Sequence, residues 1–431
     1  MICEEQKIEG LIAQCRLEEA SAALTVTQAD TRRRAALYAI AGDDRGLARV
    51  ADPNLLLCRS SSDIASFYER SGAEPDVYGH LAAAVVLAWA SDEEGTYASL
   101  RAANRRAIAQ RSFDFAVAAC ERLAHHALLF GKVEVARSAL NEAIALAEAH
   151  TLRSWRLRSL AAAARIALDA GDLQAAEKFV ARGRAAAGSS DELALFAATG
   201  AQMAVEVGDD SALGEWTRQI VDTALHSQLP DVVNCATIAA LIAAADGRPN
   251  AIVTAALQRA MLQNDSVATS PELFSLGARY APLEDAHRAV EALAAAVAPT
   301  RPYLFAHQLL ARAHASLRSG QRPSSIDAAG DAARAFSAMG LRRWTNEAMG
   351  LLVSQERTPD RRSRGRPSGC ALTEREEQVA QLIRRGARNR EVAKALQISE
   401  HTVERHVSSI LGRLGLRSRW QIGAPRIDSE S

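Results

Sequence analysis

The sequence contains Gly131-Lys-Val-Glu-Val-Ala136 and, further along, the similar segment Gly171-Asp-Leu-Gln-Ala-Ala176. In both segments a glycine can end one helix, a polar residue can start the next, and a small residue follows four or five positions on. Similar segments begin at Gly208 and Gly247 at nearly the same spacing, and Gly320 follows after close to two further periods. The recurrence predicts that this part of the chain consists of repeated helical hairpins.

Between these breaks, apolar residues recur at helical spacing, as in Val135, Ala139, Ala143 and Leu146. Alanine, the best helix former, is abundant, whereas aromatic residues make up only 5% of the chain. The period exceeds the ~34 residues of ideal tetratricopeptide repeats, and the aromatic signature positions of those repeats are mostly missing. We therefore predict an all-α fold in which residues 1–353 form a tetratricopeptide-like solenoid of helical hairpins.

A helical solenoid indicates a binding role, because each hairpin buries its apolar stripe only against its neighbours and the stack leaves a concave surface. We expect residues 1–353 to act as a sensor or interaction domain for a protein, a peptide or a small molecule. The sequence shows no arrangement of side chains that indicates catalysis and no cofactor motif, so we do not expect an enzyme. No metal-ligand spacing occurs among the histidines or among the cysteines, which are Cys3, Cys15, Cys58, Cys120, Cys235 and Cys370.

Charge is unevenly distributed along the chain, although its 51 basic and 51 acidic residues cancel to a net charge of +0. From Arg361 onward there are 15 basic and 8 acidic residues, a net charge of +7, which leaves 36 and 43 upstream, a net charge of −7. The basic C-terminal part predicts a polyanionic partner. The start of the sequence is too acidic for a signal peptide, and the longest apolar run, Leu81–Ala90, is too short to span a membrane, so we expect a cytoplasmic protein.

Residues 354–371 have the composition of a flexible basic linker, with two prolines, a run of arginines and no apolar periodicity. Within it, Arg364-Gly365-Arg366-Pro367 resembles the core of an AT-hook, in which arginines line a narrow A·T minor groove. Arg364, Gly365 and Arg366 are therefore candidates for minor-groove contacts. A nonspecific basic linker explains the same residues more simply, and both interpretations stay open.

The residues after the linker predict three helices, over about 374–386, 389–396 and 400–414. Thr373 and Glu376 fit a capping box for the first helix, Asn389 can cap the second, and Ser399 can cap the third. The apolar side chains that should share one core are Val379, Leu382, Ile383, Val392, Ala393, Leu396, Val403, Val407, Ile410, Leu411 and Leu414. A short helix, a three-residue turn and a longer helix form the arrangement that places the longer helix in the DNA major groove.

At fixed spacings, these residues resemble the LuxR-type DNA-binding domain of bacterial transcription regulators. The matching positions are Leu372-Thr-x-Arg-Glu376, Gly386, Asn389-x-Glu391-Val-Ala393, Leu396, Ile398-Ser399, Thr402-Val403-x-x-His406, Ile410, Leu414-Gly415 and Arg419. The resemblance implies that residues 372–424 bind specific DNA sequences, with 425–431 as a short tail.

Upstream, Phe336–Ala348 resembles the stretch before this domain in large ATP-binding LuxR regulators. The sequence has no G-x-x-x-x-G-K-[ST] phosphate loop. It is therefore similar to the helical and DNA-binding parts of those proteins without the ATPase.

Helical phase identifies the side chains of the third helix that face DNA. With its apolar stripe inward, the other face presents four candidates for base contacts: His401, Glu404, Arg405 and Ser408. Arg405 can donate to O6 and N7 of guanine, and Glu404 can accept from N4 of cytosine. Phosphate contacts are expected from Asn389, Arg390, Lys394, Thr402 and Arg413.

The main prediction is a regulator that binds double-stranded DNA under the control of an effector on the solenoid. The family's fourth helix often mediates dimer contacts, but Gly423 and Pro425 lie where that helix should continue, so a homodimer stays an open alternative. Many relatives carry a basic residue where Glu404 stands. This difference and the shortened fourth helix leave a second alternative, a helical-repeat scaffold whose C-terminal module makes protein contacts.

Overall fold

A computed structural model of the chain describes residues 47, 51, 53–71, 74–217, 227, 230–243, 270–280, 283–296, 301–356, 372, 374–384, 387, 389–396 and 398–414. Gly247, one of the predicted helix breaks, lies outside these residues. The chain divides into two compact units, one comprising residues 1–203 and 211–349 and the other 204–210 and 350–431. Every regular element in the described ranges is an α-helix, which confirms the all-α prediction.

The helices before the linker follow one another closely in the sequence. They are α1 (Pro53–Leu56), α2 (Ser61–Ser71), α3 (Val77–Trp89), α4 (Glu93–Ala109), α5 (Phe113–Leu129), α6 (Val133–Ala149), α7 (Arg153–Asp169), α8 (Leu173–Ala186), α9 (Ser190–Ala194), α10 (Ala197–Val207), α11 (Pro230–Ala243), α12 (Pro271–Tyr280), α13 (Leu283–Ala296), α14 (Pro302–Arg318), α15 (Arg322–Ala338) and α16 (Arg342–Glu356). Each helix from α3 to α7 packs on the next one, and α14 packs on α15, as expected for stacked helical hairpins. Over the described ranges, no helix is both long and apolar enough to cross a membrane.

One type of turn connects these helices. A residue in the left-handed conformation, with φ between 56° and 82°, ends eight of the described helices: Ser91, Arg111, Gly131, Thr151, Gly171, Gly208, Gly320 and Gly340 follow them. At Gly131, the backbone N–H donates to the carbonyl of Leu128 over 2.9 Å, and the next N–H, of Lys132, donates to Ala127 over 2.7 Å. The same pair of bonds occurs in all eight turns, and it defines the Schellman motif that satisfies the last carbonyls of a helix.

The turns set the period of the repeat. From residue 91 to residue 171, a left-handed residue stands at every twentieth position, so one helical hairpin takes two of these intervals. The breaks predicted at Gly131, Gly171, Gly208 and Gly320 are confirmed. Ala136 and Ala176, the small residues that follow two of these glycines, are fully buried, as the pattern predicts.

We predict that Thr151→Gly stabilises the protein by about 1 kcal/mol, because a β-branched residue at φ 56° is strained and glycine is not. Gly340→Ala is the matched opposite change. Gly340 has φ 76° and no atom within 4 Å of an added Cβ, so alanine there should cost about 1 kcal/mol through backbone strain alone. Chemical denaturation of both variants measures the two effects. If both variants changed the free energy of unfolding in the same direction, the role given to these left-handed residues would be contradicted.

Contacts inside the first unit also join helices that are far apart in the sequence. α14 packs against α5, and Arg301, just before α14, donates to a backbone carbonyl of α3 over 3.2 Å. Arg343 of α16 donates to Asp169 of α7 over 2.8 Å. Arg165 of α7 lies 3.5 Å from Glu272 of α12. Buried ionic contacts therefore hold α7 against the C-terminal half of the first unit.

Candidate nucleic-acid interface

After residue 356, the structure describes three helices: α17 (Glu374–Arg384), α18 (Asn389–Leu396) and α19 (Glu400–Leu414). They begin where the sequence predicts, except that Asn389 is the first helical residue of α18 rather than its cap. α19 packs against both α17 and α18. Apart from Leu414, whose side chain is not among the described parts, the predicted apolar side chains form one core, in which Val379, Val392, Val403 and Ile410 are fully buried. Three residues separate α18 from α19, as a helix-turn-helix arrangement requires.

Two neighbouring residues of α17 hold the other two helices. Arg375 donates from Nη2 to the carbonyl oxygen of Leu396, the last residue of α18, over 2.6 Å. Because the last carbonyls of a helix lack partners within it, this bond satisfies the C-terminal end of α18. Glu376, which is 4% exposed, accepts a 2.5 Å hydrogen bond from Oγ of Ser409 in α19. Both residues stand at positions that resemble the family motif, but the sequence does not predict these contacts.

The N-terminal end of α19 is capped as predicted. The backbone N–H of Thr402 donates to Oγ of Ser399 over 3.1 Å, and the two hydroxyl oxygens lie 2.8 Å apart. Val403 is fully buried on one face of the helix, whereas the next two residues, Glu404 and Arg405, are exposed. α19 therefore has one face packed in the domain and another that presents a guanidinium and a carboxylate to solvent.

The candidates for phosphate contacts lie on α18 and at the start of α19. Arg390 and Lys394 are four residues apart, so they share a face of α18, and both are exposed. Asn389 and Thr402 are half-buried in the first turns of their helices. Backbone N–H groups at helix N-terminal ends bind phosphate well. Exposed positive side chains and two helix starts thus belong to the same three-helix domain as Arg405.

Several predicted contacts fall outside what the structure describes. The backbones of His401, Ser408 and Arg413 lie in α19, but their side chains are not among the described parts. The minor-groove candidates Arg364, Gly365 and Arg366 lie outside the described residues, as do Thr373, Gly386 and the segment 418–425. The roles assigned to these residues stay predictions.

We predict that Ser409→Ala lowers the free energy of unfolding of the three-helix domain by about 1–3 kcal/mol, because the buried carboxylate of Glu376 loses a hydrogen-bond donor. Hydrogen exchange of the α17 and α19 amides measures this loss in the full chain. Gln381→Ala, at an exposed position of α17, is the control and should change it by less than about 0.5 kcal/mol. Equal protection from hydrogen exchange in Ser409→Ala and Gln381→Ala would contradict the role given to Glu376.

Comparison with known proteins agrees with this geometry. Residues 370–423 match the family described as bacterial regulatory proteins, luxR family. No curated protein matches the chain. Among solved structures, the chain is similar to a circular tandem repeat protein with novel repeat topology and enhanced subunit contact surfaces, at 15% identity over 82% of this chain and 87% of that one, with a TM-score of 0.13, which is too low to support any conclusion. The family match and the arrangement of α17–α19 together establish that residues 370–423 are a DNA-binding domain of the LuxR family of bacterial regulatory proteins.

Proposed function

We propose that the protein is a transcription regulator that reads specific sequences of double-stranded DNA by placing α19 in the major groove. One observation carries the proposal: Glu404 and Arg405 are exposed on a helix whose opposite face is packed inside a LuxR-family domain. Arg405 would donate two hydrogen bonds to O6 and N7 of a guanine, and Glu404 would accept one from N4 of a cytosine. Arg390 and Lys394 would bind phosphates, which fixes the position of α19 along the duplex.

We further propose that an effector bound to the helical-repeat unit controls this DNA binding. Stacked helical hairpins provide the extended surfaces on which such units usually bind ligands. An effector shifts the protein between two states only if it binds them with different affinity. By linkage, DNA would then change the affinity for the effector by the same factor as the effector changes the affinity for DNA.

Selection of bound sequences from a random DNA pool, followed by gel-shift titrations across salt, tests the proposed DNA binding. A regulator should enrich one sequence motif. Its affinity should fall steeply as salt rises, because each phosphate neutralised by the protein releases counterions. Binding that enriches no motif, or that does not respond to salt, would contradict the proposal.

We predict that Arg405→Ala weakens binding to the enriched motif about 10- to 100-fold, because a bidentate guanine contact contributes roughly 1–3 kcal/mol of discrimination. Nonspecific binding should change little. Lys394→Ala should instead weaken binding to all sequences about equally and reduce the salt slope by about 1, as expected for a lost phosphate contact. Gel-shift titrations on specific and random duplexes distinguish these effects, and equal losses on both duplexes in Arg405→Ala would contradict base contact.

The same variant separates a regulator from a scaffold. In cells, a regulator with Arg405→Ala should lose promoter occupancy and keep any protein partners of the helical-repeat unit. A scaffold would be indifferent to the change, because its C-terminal module would make protein contacts. Unchanged occupancy in Arg405→Ala would therefore favour the scaffold.

A further inference from the structure

A cavity of about 180 Å³ opens within the first unit, between α5, α7, α10 and α11. For comparison, an engineered protein cavity of roughly 150 Å³ holds a benzene molecule. The cavity is therefore large enough for a compact organic molecule. All of its described lining residues belong to the first unit.

Much of the wall of this cavity is apolar. Aliphatic side chains contribute from three helices, and alanines leave the room that larger residues would fill. The residues concerned are Leu128, Ala161, Ala162, Ile166, Ala198 and Ile238. Such a wall suits the apolar body of a ligand.

The polar part of the wall is dominated by guanidinium groups. Arg122 of α5 and both Arg158 and Arg165 of α7 line the cavity. Two carboxylates offset part of this charge: Glu121 lies 3.4 Å from Nε of Arg158, and Glu272 lies 3.5 Å from Nη1 of Arg165. Three cations thus face two anions, which leaves the cavity positively charged although the upstream part of the sequence is acidic overall.

The hydrogen bonds around Arg165 leave its guanidinium incompletely satisfied. Its Nε is buried and has no hydrogen-bond partner in the described part of the chain. Glu272 uses its Oε1 to accept a 2.5 Å bond from the hydroxyl of Tyr303. The Arg165 side chain as a whole is 32% exposed, so its guanidinium can donate charge-assisted hydrogen bonds to an oxyanion in the cavity.

A histidine beside these cations, His125, also lines the cavity. Burial lowers its pKa well below the usual value, and repulsion from Arg122, His126 and Arg165 lowers it further. The histidine is therefore neutral, and the cations that repel its proton would attract an anion.

We propose that this cavity binds a small organic anion, with its apolar body against the alanine and aliphatic wall and its carboxylate or phosphate between Arg122, Arg158 and Arg165. This proposal names the chemical class of the effector. Only one part of it rests on the proposed function as a regulator, namely that the bound ligand changes the affinity for DNA. Binding of the anion itself requires no DNA.

Thermal unfolding of the full chain with three probes tests the proposal: benzoate, phenyl phosphate and, as the neutral counterpart, benzyl alcohol. At a concentration about ten times its Kd, a bound anion should raise the melting temperature by about 2 °C. The stronger of the two anions identifies the preferred head group. A lack of any shift with both anions, or an equal shift with benzyl alcohol, would overturn the proposal.

Three variants locate the binding. Arg158→Gln should weaken binding of the anion at least tenfold by removing a charged donor. Ala161→Leu should do the same by filling the cavity, without changing charge. Arg182→Gln is the control, because Arg182 is an exposed arginine of α8 that pairs with Glu148 away from the cavity. Binding retained in both cavity variants would overturn the site.

Gel shifts with these variants keep the two proposals separate. Arg158→Gln and Ala161→Leu should still bind the enriched DNA motif, since neither residue lies in the three-helix domain. DNA binding that survives while wild-type protein fails to bind either anion would refute the cavity ligand and leave the DNA-binding function standing.

Discussion

Replacing Arg343 by methionine is expected to destabilise the helical-repeat unit by about 3–5 kcal/mol. Arg343 donates from Nη1 to Asp169 over 2.8 Å and from Nη2 to Oε1 of Gln202 over 3.1 Å. Asp169 is only 1% exposed, and burial raises its pKa although Arg343 opposes the rise. Without Arg343, this carboxylate would stay buried without its counter-charge. That loss is what makes breaking a buried ion pair so costly.

A double-mutant cycle checks this origin of the effect. In the Asp169→Asn background, Arg343→Met should cost at least about 2 kcal/mol less, because no buried carboxylate remains. Arg334→Met is the exposed control: its side chain is 76% exposed beside Asp331, so its removal should cost less than about 1 kcal/mol. Urea unfolding measures all four variants. An equal cost of Arg343→Met with aspartate and with asparagine at 169 would contradict the ionic role.

Lowering the pH from about 7.5 to about 5.5 is expected to destabilise the helical-repeat unit by several kcal/mol. His126, His307 and His314 are 5%, 0% and 5% exposed. Burial lowers the pKa of each, to about 3 for His307. Because these pKa values lie below the unfolded value of about 6.5, the unfolded chain takes up protons that the folded chain excludes. Stability is therefore full above about pH 6.5 and falls below it, by up to about 1.4 kcal/mol per pH unit for each histidine.

His307 provides the variant that tests this pH dependence. Its Nδ1 lies 2.6 Å from Oγ of Ser275, and the same hydroxyl lies 3.0 Å from the carbonyl oxygen of Pro271, so the ring donates to Ser275 whenever that hydroxyl donates to Pro271. Asparagine at this position can still donate a hydrogen bond but does not titrate. In His307→Asn, the slope of the free energy of unfolding against pH should therefore decrease by up to about 1.4 kcal/mol per pH unit, the contribution of one proton. Urea midpoints that stay constant between the two pH values would contradict the account.

The repeat could be predicted from the sequence only in part. Glycines mark the turns at Gly131 and Gly171, since glycine adopts the left-handed conformation without strain. Ser91, Arg111 and Thr151 occupy the same kind of turn, yet nothing local in the sequence distinguishes them from helix residues. The glycine spacing therefore indicates the period of the hairpins, but it does not mark the turns at Ser91, Arg111 and Thr151.

The polar contacts between helices that are far apart in the chain could not be predicted from the sequence. The apolar spacing of α7 indicates which of its faces is buried, but not that Asp169 and Arg165 meet partners on α16 and α12. In the C-terminal domain, too, the local features could be predicted from the sequence and the contacts between helices could not. Its helix starts, its core and the Ser399 cap are local signals, and the structure agrees with them. The bond between Glu376 and Ser409 depends on how α17 crosses α19, which no local pattern specifies.

Methylation interference with dimethyl sulfate on the enriched DNA site tests the placement of α19 most directly. The reagent methylates N7 of guanine, which projects into the major groove and is the atom that Arg405 is proposed to contact. We expect methylation of one guanine in each bound site to block the wild-type protein, and the Arg405→Ala variant to be insensitive to that methyl group. Wild-type binding that tolerates N7 methylation at every guanine of the site would contradict an α19 that reads the major groove.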